Sequence, residues 1–247
     1  MMTSGMFTTW FLPGIWITIQ VTLYSAALAG AVALLVGVLR TSQYWIVRFL
    51  AGTYFEIFRG TSALVLMFWM FFALPLFGWQ LVPMWAGVSA LGLTYGAYGS
   101  EVVRGALAAV TPAQREAGIA LSFTRMQRLR RIELPQAWPE MIPPFNNLLI
   151  ELLKGTALVS TITVADMLFA GNLVRLGSNE SAPIYTLLLV LYFAMAFTLT
   201  RGMRALERHA KRNIGQGLEK KPGFISRKLS ARGETDQAGS QVAGGMG

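Results

Sequence analysis

The sequence predicts an all-α integral membrane protein with five transmembrane helices. Three observations predict it. Of 247 residues, 54% are hydrophobic and only 13% are charged, against roughly 25% charged in an ordinary soluble domain. The apolar residues gather into five long runs. Lys and Arg gather at one end of those runs, which by the positive-inside rule puts the N-terminus outside and the C-terminus inside.

The first span is expected over Ile15 to Leu39, long enough to cross a hydrocarbon core of roughly 30 Å. Ahead of it, residues 1–14 form a short extracytoplasmic segment. Residues 1–39 carry no Lys or Arg, so the positive start of a secretory signal is missing and this span is expected to remain in the mature protein. Ala26, Gly30, Ala33 and Gly37 give it a slim face. Arg40 ends it, and 41–53 is expected to be a loop. The second span covers Tyr54 to Phe77, with Glu56 and Arg59 spaced to pair near its start. A turn at 78–83 leads to the third span, Met84 to Val103. There Gly92 and Gly96 suit close helix packing better than a substrate-sized gap. Tyr95 and Tyr98 could line a polar path, and Glu101 and Arg104 mark the inner end.

The fourth span begins after Pro144 and ends near Phe169. Asn147, Glu151 and Lys154 lie in its first third, and Ser160 in its middle. Ionisable groups at such depth face protein or water, and Glu151 and Lys154 are spaced to pair. Residues 170–182 form an outer loop, and the fifth span runs from Pro183 to Thr200. The cluster from Arg201 to Arg212 stops it, and 213–247 reads as a disordered cytoplasmic tail.

Between the third and fourth spans lies a polar island, Thr111 to Pro144. Thr111 with Gln114, and Thr124 with Gln127, have the spacing of capping boxes, and Ser122 is an alternative cap for the second helix. A short helix is expected through Ala113–Leu121, followed by a second on which Arg125, Arg128 and Arg131 form one cationic stripe beside Met126, Leu129 and Ile132. Pro135, Pro139, Pro143 and Pro144 end the unit. The topology puts this knob in the cytoplasm, where it is either a plain positively charged loop or a docking element for a soluble partner.

Within it, Glu116-Ala117-Gly118, followed by Ile132, Leu134, Pro135, Gln136 and Ala137, resembles the EAA loop of ABC-importer permeases. With EIFRGTSAL at Glu56–Leu64, YGSEVVRG at Tyr98–Gly105 and NNLLIELLKGT at Asn146–Thr156, the chain is similar to the histidine/glutamine type of polar amino-acid permease over about residues 15–205. Gly118 and Ser122 stand where the loop usually has Ala and Gly. Gly155 stands where similar permeases often have Asp, so no role is carried over there. The runs beginning at Arg59 and Pro143 look most similar to ectoine and hydroxyectoine permeases.

The resemblance implies the type I permease fold over 15–212, with 111–144 as the coupling loop. It implies two separate ABC ATPase subunits, a second permease subunit (identical or related), an extracytoplasmic solute-binding protein and a bacterial inner-membrane setting among lipid. The ATPase contact would fall on Gln114, Arg115, Glu116, Ala117, Gly118, Arg128, Arg131 and Pro135. The path or gate would fall on Arg59, Tyr95, Tyr98, Glu101, Asn147, Glu151, Lys154 and Ser160. ATP and Mg belong to the partner ATPase, since this chain has no Gly-x-x-x-x-Gly-Lys-Ser/Thr loop. No catalytic residue, metal or cofactor is expected on it: there is no Cys and a single His, His209, in a basic stretch. The +9 charge sits at span ends rather than on a nucleic-acid face, so nucleic acid is not an expected partner. A transporter or channel for small zwitterions working alone is the alternative class. It would need coupling charges deep in spans one, three and five, which have none.

Overall fold

A computed structural model describes residues 7–213, and every regular element among the described residues is a helix. The compact unit to which all these contacts belong ends at Ala210. After a π turn at Phe7–Phe11, α1 runs over Leu12–Leu39 and α2 over Trp45–Gly60. Then α3, Ala63–Phe68, continues through a π turn and a 3-10 turn to Phe77. The long α4 is Pro83–Ala109, and α5 is Pro112–Ala120. A single turn, α6, Arg125–Arg128, passes through a π turn at Leu129–Glu133 into α7, Leu134–Gly155. A 3-10 segment, Thr156–Ile162, precedes α8, Met167–Ser178. Last comes α9, Ser181–Asn213.

The fold is built on the seam between α1 and α4. Glycines on each helix receive side chains of the other, so that the two pack with no room for a further methyl group. A Cβ on Gly92 would lie 2.5 Å from Leu28 Cδ2, one on Gly96 2.8 Å from Val32 Cβ, and one on Gly37 2.6 Å from Val103 Cβ. Gly92 and Gly96 of α4 and Gly37 of α1 therefore pack closely, as small-xxx-small spacing predicts, whereas nothing lies within 4 Å of a Cβ on Gly30. Three apolar clusters extend from this seam. Val21, Met67, Leu91, Val159 and Ile162 join α1, α3 and α4 to the 3-10 segment. Val103, Leu107, Ala137 and Met141 join α4 to α7. Phe11, Met167, Val174, Ile184 and Leu188 join α8 to α9.

Two stretches, Thr9–Leu39 and Ser181–Ala210, are long and apolar enough to cross a membrane as single helices. The second and fourth expected spans are bent instead of straight. Trp45–Gly60 meets Ala63–Phe77 at 99°, and Arg125–Ile162 meets Met167–Ser178 at 54°. The first bend falls at Thr61 and Ser62, both in extended conformation. The second falls after the 3-10 segment, where Thr163 takes a left-handed φ of 66°. At 27 residues α4 is long enough to span, about 40 Å at 1.5 Å per residue. Its Gly, Ser and Tyr residues keep it less apolar than a lipid-facing span, and many of them are buried against neighbouring helices.

Other expectations change too. Most of 41–53 is helix, because α2 starts at Trp45. The prolines do not end the loop unit. Pro135 sits in the first turn of α7, where no donor is needed, and Pro139, Pro143 and Pro144 lie inside the helix. Residues 170–182 are largely α8. The basic cluster from Arg201 onward does not stop α9, which reaches Asn213. The expected tail lies outside the described residues from 214, as does the start of the N-terminal segment before Phe7.

Candidate functional site

The loop between α4 and α7 folds as a helical knob. Thr124 forms a capping box with Gln127: its hydroxyl accepts from the Gln127 backbone N–H, and the Gln127 side chain accepts from the Thr124 N–H at 2.8 Å. The first expected box does not form, for Thr111 makes no side-chain cap. The Gln114 amide oxygen instead accepts from Gln136 Nε2 at 3.2 Å, tying α5 to α7. The end of α5 closes tightly. Ser122 sits at φ 56°, and the Phe123 N–H donates to the Gly118 carbonyl at 3.0 Å, the longer bond of a Schellman cap.

Within the expected coupling set, the structure separates inward from outward roles. Gly118 is buried, and a Cβ there would lie 2.8 Å from Ile132 Cδ1 and 3.0 Å from Arg128 Cγ. It permits α5 to lie against the next helix. Arg115 is also spent within the chain. Its guanidinium donates to the Leu107 carbonyl at 2.6 Å and stands 3.9 Å from Glu133. Gln114, Glu116, Ala117, Arg131 and Pro135 are exposed. The expected arginine stripe is broken: Arg125 and Arg128 line one cavity, while Arg131 lies over the Phe123 ring at 5.8 Å. The π turn at Leu129–Glu133 adds a residue to the turn and rotates Arg131 away. The sequence reading missed Ile119 and Leu121, exposed by 57% and 66%. Two large apolar side chains left uncovered at the tip of a polar helix were the available signal.

At the base of the knob is an ion-pair cluster. Glu101 on α4 accepts from Arg104 one turn on and from Arg40 at the end of α1, the latter at 2.7 Å. Arg40 also reaches Ser100 Oγ at 3.4 Å and covers the Phe55 ring of α2 at 3.9 Å. The Glu101–Arg104 pair is legible from its spacing, but Arg40, a partner sixty-one positions from Glu101, is not.

The expected path residues do not converge within one chain. Tyr95 and Tyr98 pack edge to face with centroids 6.0 Å apart. Tyr95 borders a cavity of about 190 Å³ between α1, α4, α7 and α9. Lys154 lines a different groove, of about 480 Å³, against α9. Asn147 and Glu151 are exposed on α7, Ser160 is half-buried in the 3-10 segment, and Arg59 is exposed on α2. Among the described residues, neither Glu56–Arg59 nor Glu151–Lys154 forms an ion pair. Arg59 lies 5.5 Å from the Phe55 ring instead. Asp166, expected only near an outer end, is fully buried and caps α8 by accepting from the Phe169 N–H at 2.9 Å.

Residues 29–212 match the binding-protein-dependent transport system inner membrane component family. The chain belongs to that family. This permease component is 47% identical over 200 residues to a probable amino-acid ABC transporter permease, y4tF, of Sinorhizobium fredii, covering 78% of this chain and 84% of that one. It is 32% identical over 196 residues to the glutamine transport system permease GlnP of Escherichia coli K12, covering 78% and 90%. Among solved structures it is similar to a chain from the crystal structure of an amino acid ABC transporter with histidines, with a TM-score of 0.76, 28% identity and coverage of 82% and 95%. A chain of the MetNI methionine ABC transporter in inward-facing form, at 20% identity and a TM-score of 0.71, shares the fold. The permease therefore has the all-helical type I fold, and the stand-alone transporter class is not favoured.

Proposed function

We propose that this chain is the transmembrane permease subunit of a binding-protein-dependent ABC importer for a polar amino acid or an amino-acid derivative. The observation that carries this reading is the knob. An exposed short helix, α5, bearing Gln114, Glu116, Ile119 and Leu121, stands at the inner end of the α1–α4 seam, within the stretch matched by the family. Two separate ATPase subunits would receive α5 in surface grooves, with a second permease subunit beside this one. A solute-binding protein would deliver substrate from the opposite face. Closure of the ATPase pair would push the knobs and tilt the α1–α4 unit between inward-facing and outward-facing states. ATP shifts these populations only by favouring one of them. The split of the path residues between separate cavities suits a path completed across two permease subunits.

In this reading α1, the α2–α3 pair, α4, the α7–α8 pair and α9 make five passes. Arginine placement supports an N-terminus outside and a C-terminus inside. For substrate, the relatives support the amino-acid class. Ectoine or hydroxyectoine is the narrower reading, and it rests on the similarity of the two runs beginning at Arg59 and Pro143. Uptake of labelled ectoine by cells with and without the gene, with unlabelled hydroxyectoine, glutamine and histidine as competitors, tests it. Gene-dependent uptake blocked by hydroxyectoine alone supports the compatible-solute reading. Gene-dependent glutamine or histidine uptake without ectoine uptake keeps the importer and removes ectoine. No gene-dependent uptake of any of them, with an ATPase still copurifying, removes both substrate readings.

A further inference from the structure

Beside the knob lies a cavity of about 420 Å³ whose chemistry the transport cycle does not explain. Six guanidiniums line it: those of Arg40, Arg48, Arg104, Arg115, Arg125 and Arg128. The carboxylates at hand are Glu133 in the lining and Glu101, already shared by Arg40 and Arg104. Arg125 is oriented by donating to the Thr41 carbonyl. The Nε of Arg128 is buried and has no hydrogen-bond acceptor within the protein, and that of Arg115, also buried, has only the Glu133 carboxylate at 3.9 Å, too far for a hydrogen bond. A desolvated donor left unpaired is costly, and six cations facing two anions repel one another. An anion with several acceptor oxygens, of which a phosphate is the natural case for guanidinium forks, relieves both costs.

A second groove, of about 480 Å³, adjoins this cavity and shares Arg48 with it. Trp45, Phe49 and Ile57 are the large apolar residues of that groove, with exposed Glu56 also in its lining, and the Trp45 and Phe49 rings stack at 5.3 Å. Around it the first turns of α2 leave Tyr44, Ile46 and Leu50 more than 60% exposed. Such a belt belongs at a membrane interface. A cationic cavity meeting an apolar groove at one shared arginine has the shape of a headgroup site joined to an acyl-chain site. Basic pockets at this level of a membrane protein bind anionic headgroups. A soluble phosphate would gain nothing from the Trp45–Phe49 groove.

We propose that this paired site binds an anionic phospholipid, its phosphodiester held among Arg48, Arg125 and Arg128 and one acyl chain laid along Trp45 and Phe49. Bound there, the lipid bridges α2 to α6 and so fastens the knob to the membrane-level helices. The inference rests on the proposed reading that α2 lies at the membrane level and that the knob lies on the cytoplasmic side, where anionic lipids gather; it does not depend on the substrate.

The test uses the full-length chain, purified with the subunits that accompany it, and native mass spectrometry against phosphatidylglycerol and phosphatidylcholine. Phosphatidylglycerol should be retained in preference to phosphatidylcholine. Arg48→Gln should weaken that retention about five-fold, and Arg48→Gln with Arg125→Gln about twenty-five-fold, from the attraction each basic group exerts on an anionic lipid. Phe49→Ala should weaken it as well, with all six cations intact. If the double variant does not fold, the two single variants decide. Equal retention of both lipids, or retention unchanged in folded variants, overturns the proposal. So does displacement of phosphatidylglycerol by millimolar inorganic phosphate, which assigns the cavity to a soluble anion. No phosphatidylglycerol retained by the assembled complex also overturns it, because a protein surface then fills the site.

Discussion

Arg40, the residue after the first transmembrane helix, donates to Glu101 on the central helix at 2.7 Å, and Arg104 grips the same carboxylate from one turn on. This pairing ties the C-terminal ends of α1 and α4 together just before the knob begins. The Arg40 side chain is 13% exposed and that of Glu101 42%, so the cluster lies between a buried pair and a surface one. Replacing Glu101 by Gln leaves the largely buried Arg40 without its counter-charge. Detergent-solubilised protein should lose about 1–2 kcal/mol of stability, near the value of a hydrogen bond to a charged group and below that of a fully buried pair. Thermal unfolding checks it, and an unchanged melting temperature would show the cluster to be a solvated surface feature.

A left-handed serine closes α5. Ser122 at φ 56° occupies a conformation that costs an L-residue roughly 1–2 kcal/mol and glycine far less. Ser122→Gly should therefore stabilise the knob, with a net gain of about 0.5–1 kcal/mol after glycine's larger unfolded-state entropy is set against it. Hydrogen exchange of the α5 amides is the direct readout: slower exchange is expected. Faster exchange would mean that the Ser122 side chain contributes more than the strain removes.

Much of this fold was legible because hydropathy and loop chemistry spoke together. Arg40, Val103 and Leu121 lie at or within a few residues of the ends of α1, α4 and α5, and the Thr124–Gln127 box forms as its spacing predicts. The errors have one physical origin: apolar composition fixes that a segment is buried in lipid or protein, not that it is straight. The break at Thr61–Ser62 involves no Pro or Gly at the extended residues, and that at Thr163 depends on a backbone conformation no local pattern announces. In the site, i, i+3 spacing gave Glu101–Arg104 but also suggested Glu56–Arg59 and Glu151–Lys154, which are not made. Spacing permits a contact; a competing partner, distant like Arg40 for Glu101 or one turn away like Phe55 for Arg59, decides it.

The α1–α4 seam gives a sharper test. A methyl added at Gly96 would press on Val32 Cβ at 2.8 Å, a β-branched atom that cannot swing aside. Gly96→Ala should cost about 1–3 kcal/mol, the usual range for overpacking, and Gly96→Leu should yield no folded protein in the membrane. Gly30 is the control, since nothing lies within 4 Å of a Cβ there, and Gly30→Ala should be tolerated. If Gly96→Leu accumulates normally and changes only substrate choice, the slim face serves the path and not the packing.

Coupling can be divided between shape and contact. Glu116 is exposed on α5, so Glu116→Lys alters the surface offered to an ATPase without disturbing the knob. Gly118→Leu instead drives a side chain into Ile132 and Arg128 and pushes α5 off its support. Both variants should insert in the membrane in normal amount, because neither residue lies in a span. Glu116→Lys should weaken ATPase copurification and lower uptake in proportion. Gly118→Leu should separate the two activities, leaving ATP hydrolysis while uptake falls by at least about ten-fold, because a misplaced lever 1 Å out of position transmits little of the stroke. Paired assays of uptake and ATP hydrolysis on the same membranes check this. Normal uptake in both variants would remove α5 from the coupling path and leave the knob as a cytoplasmic loop held inside by its arginines.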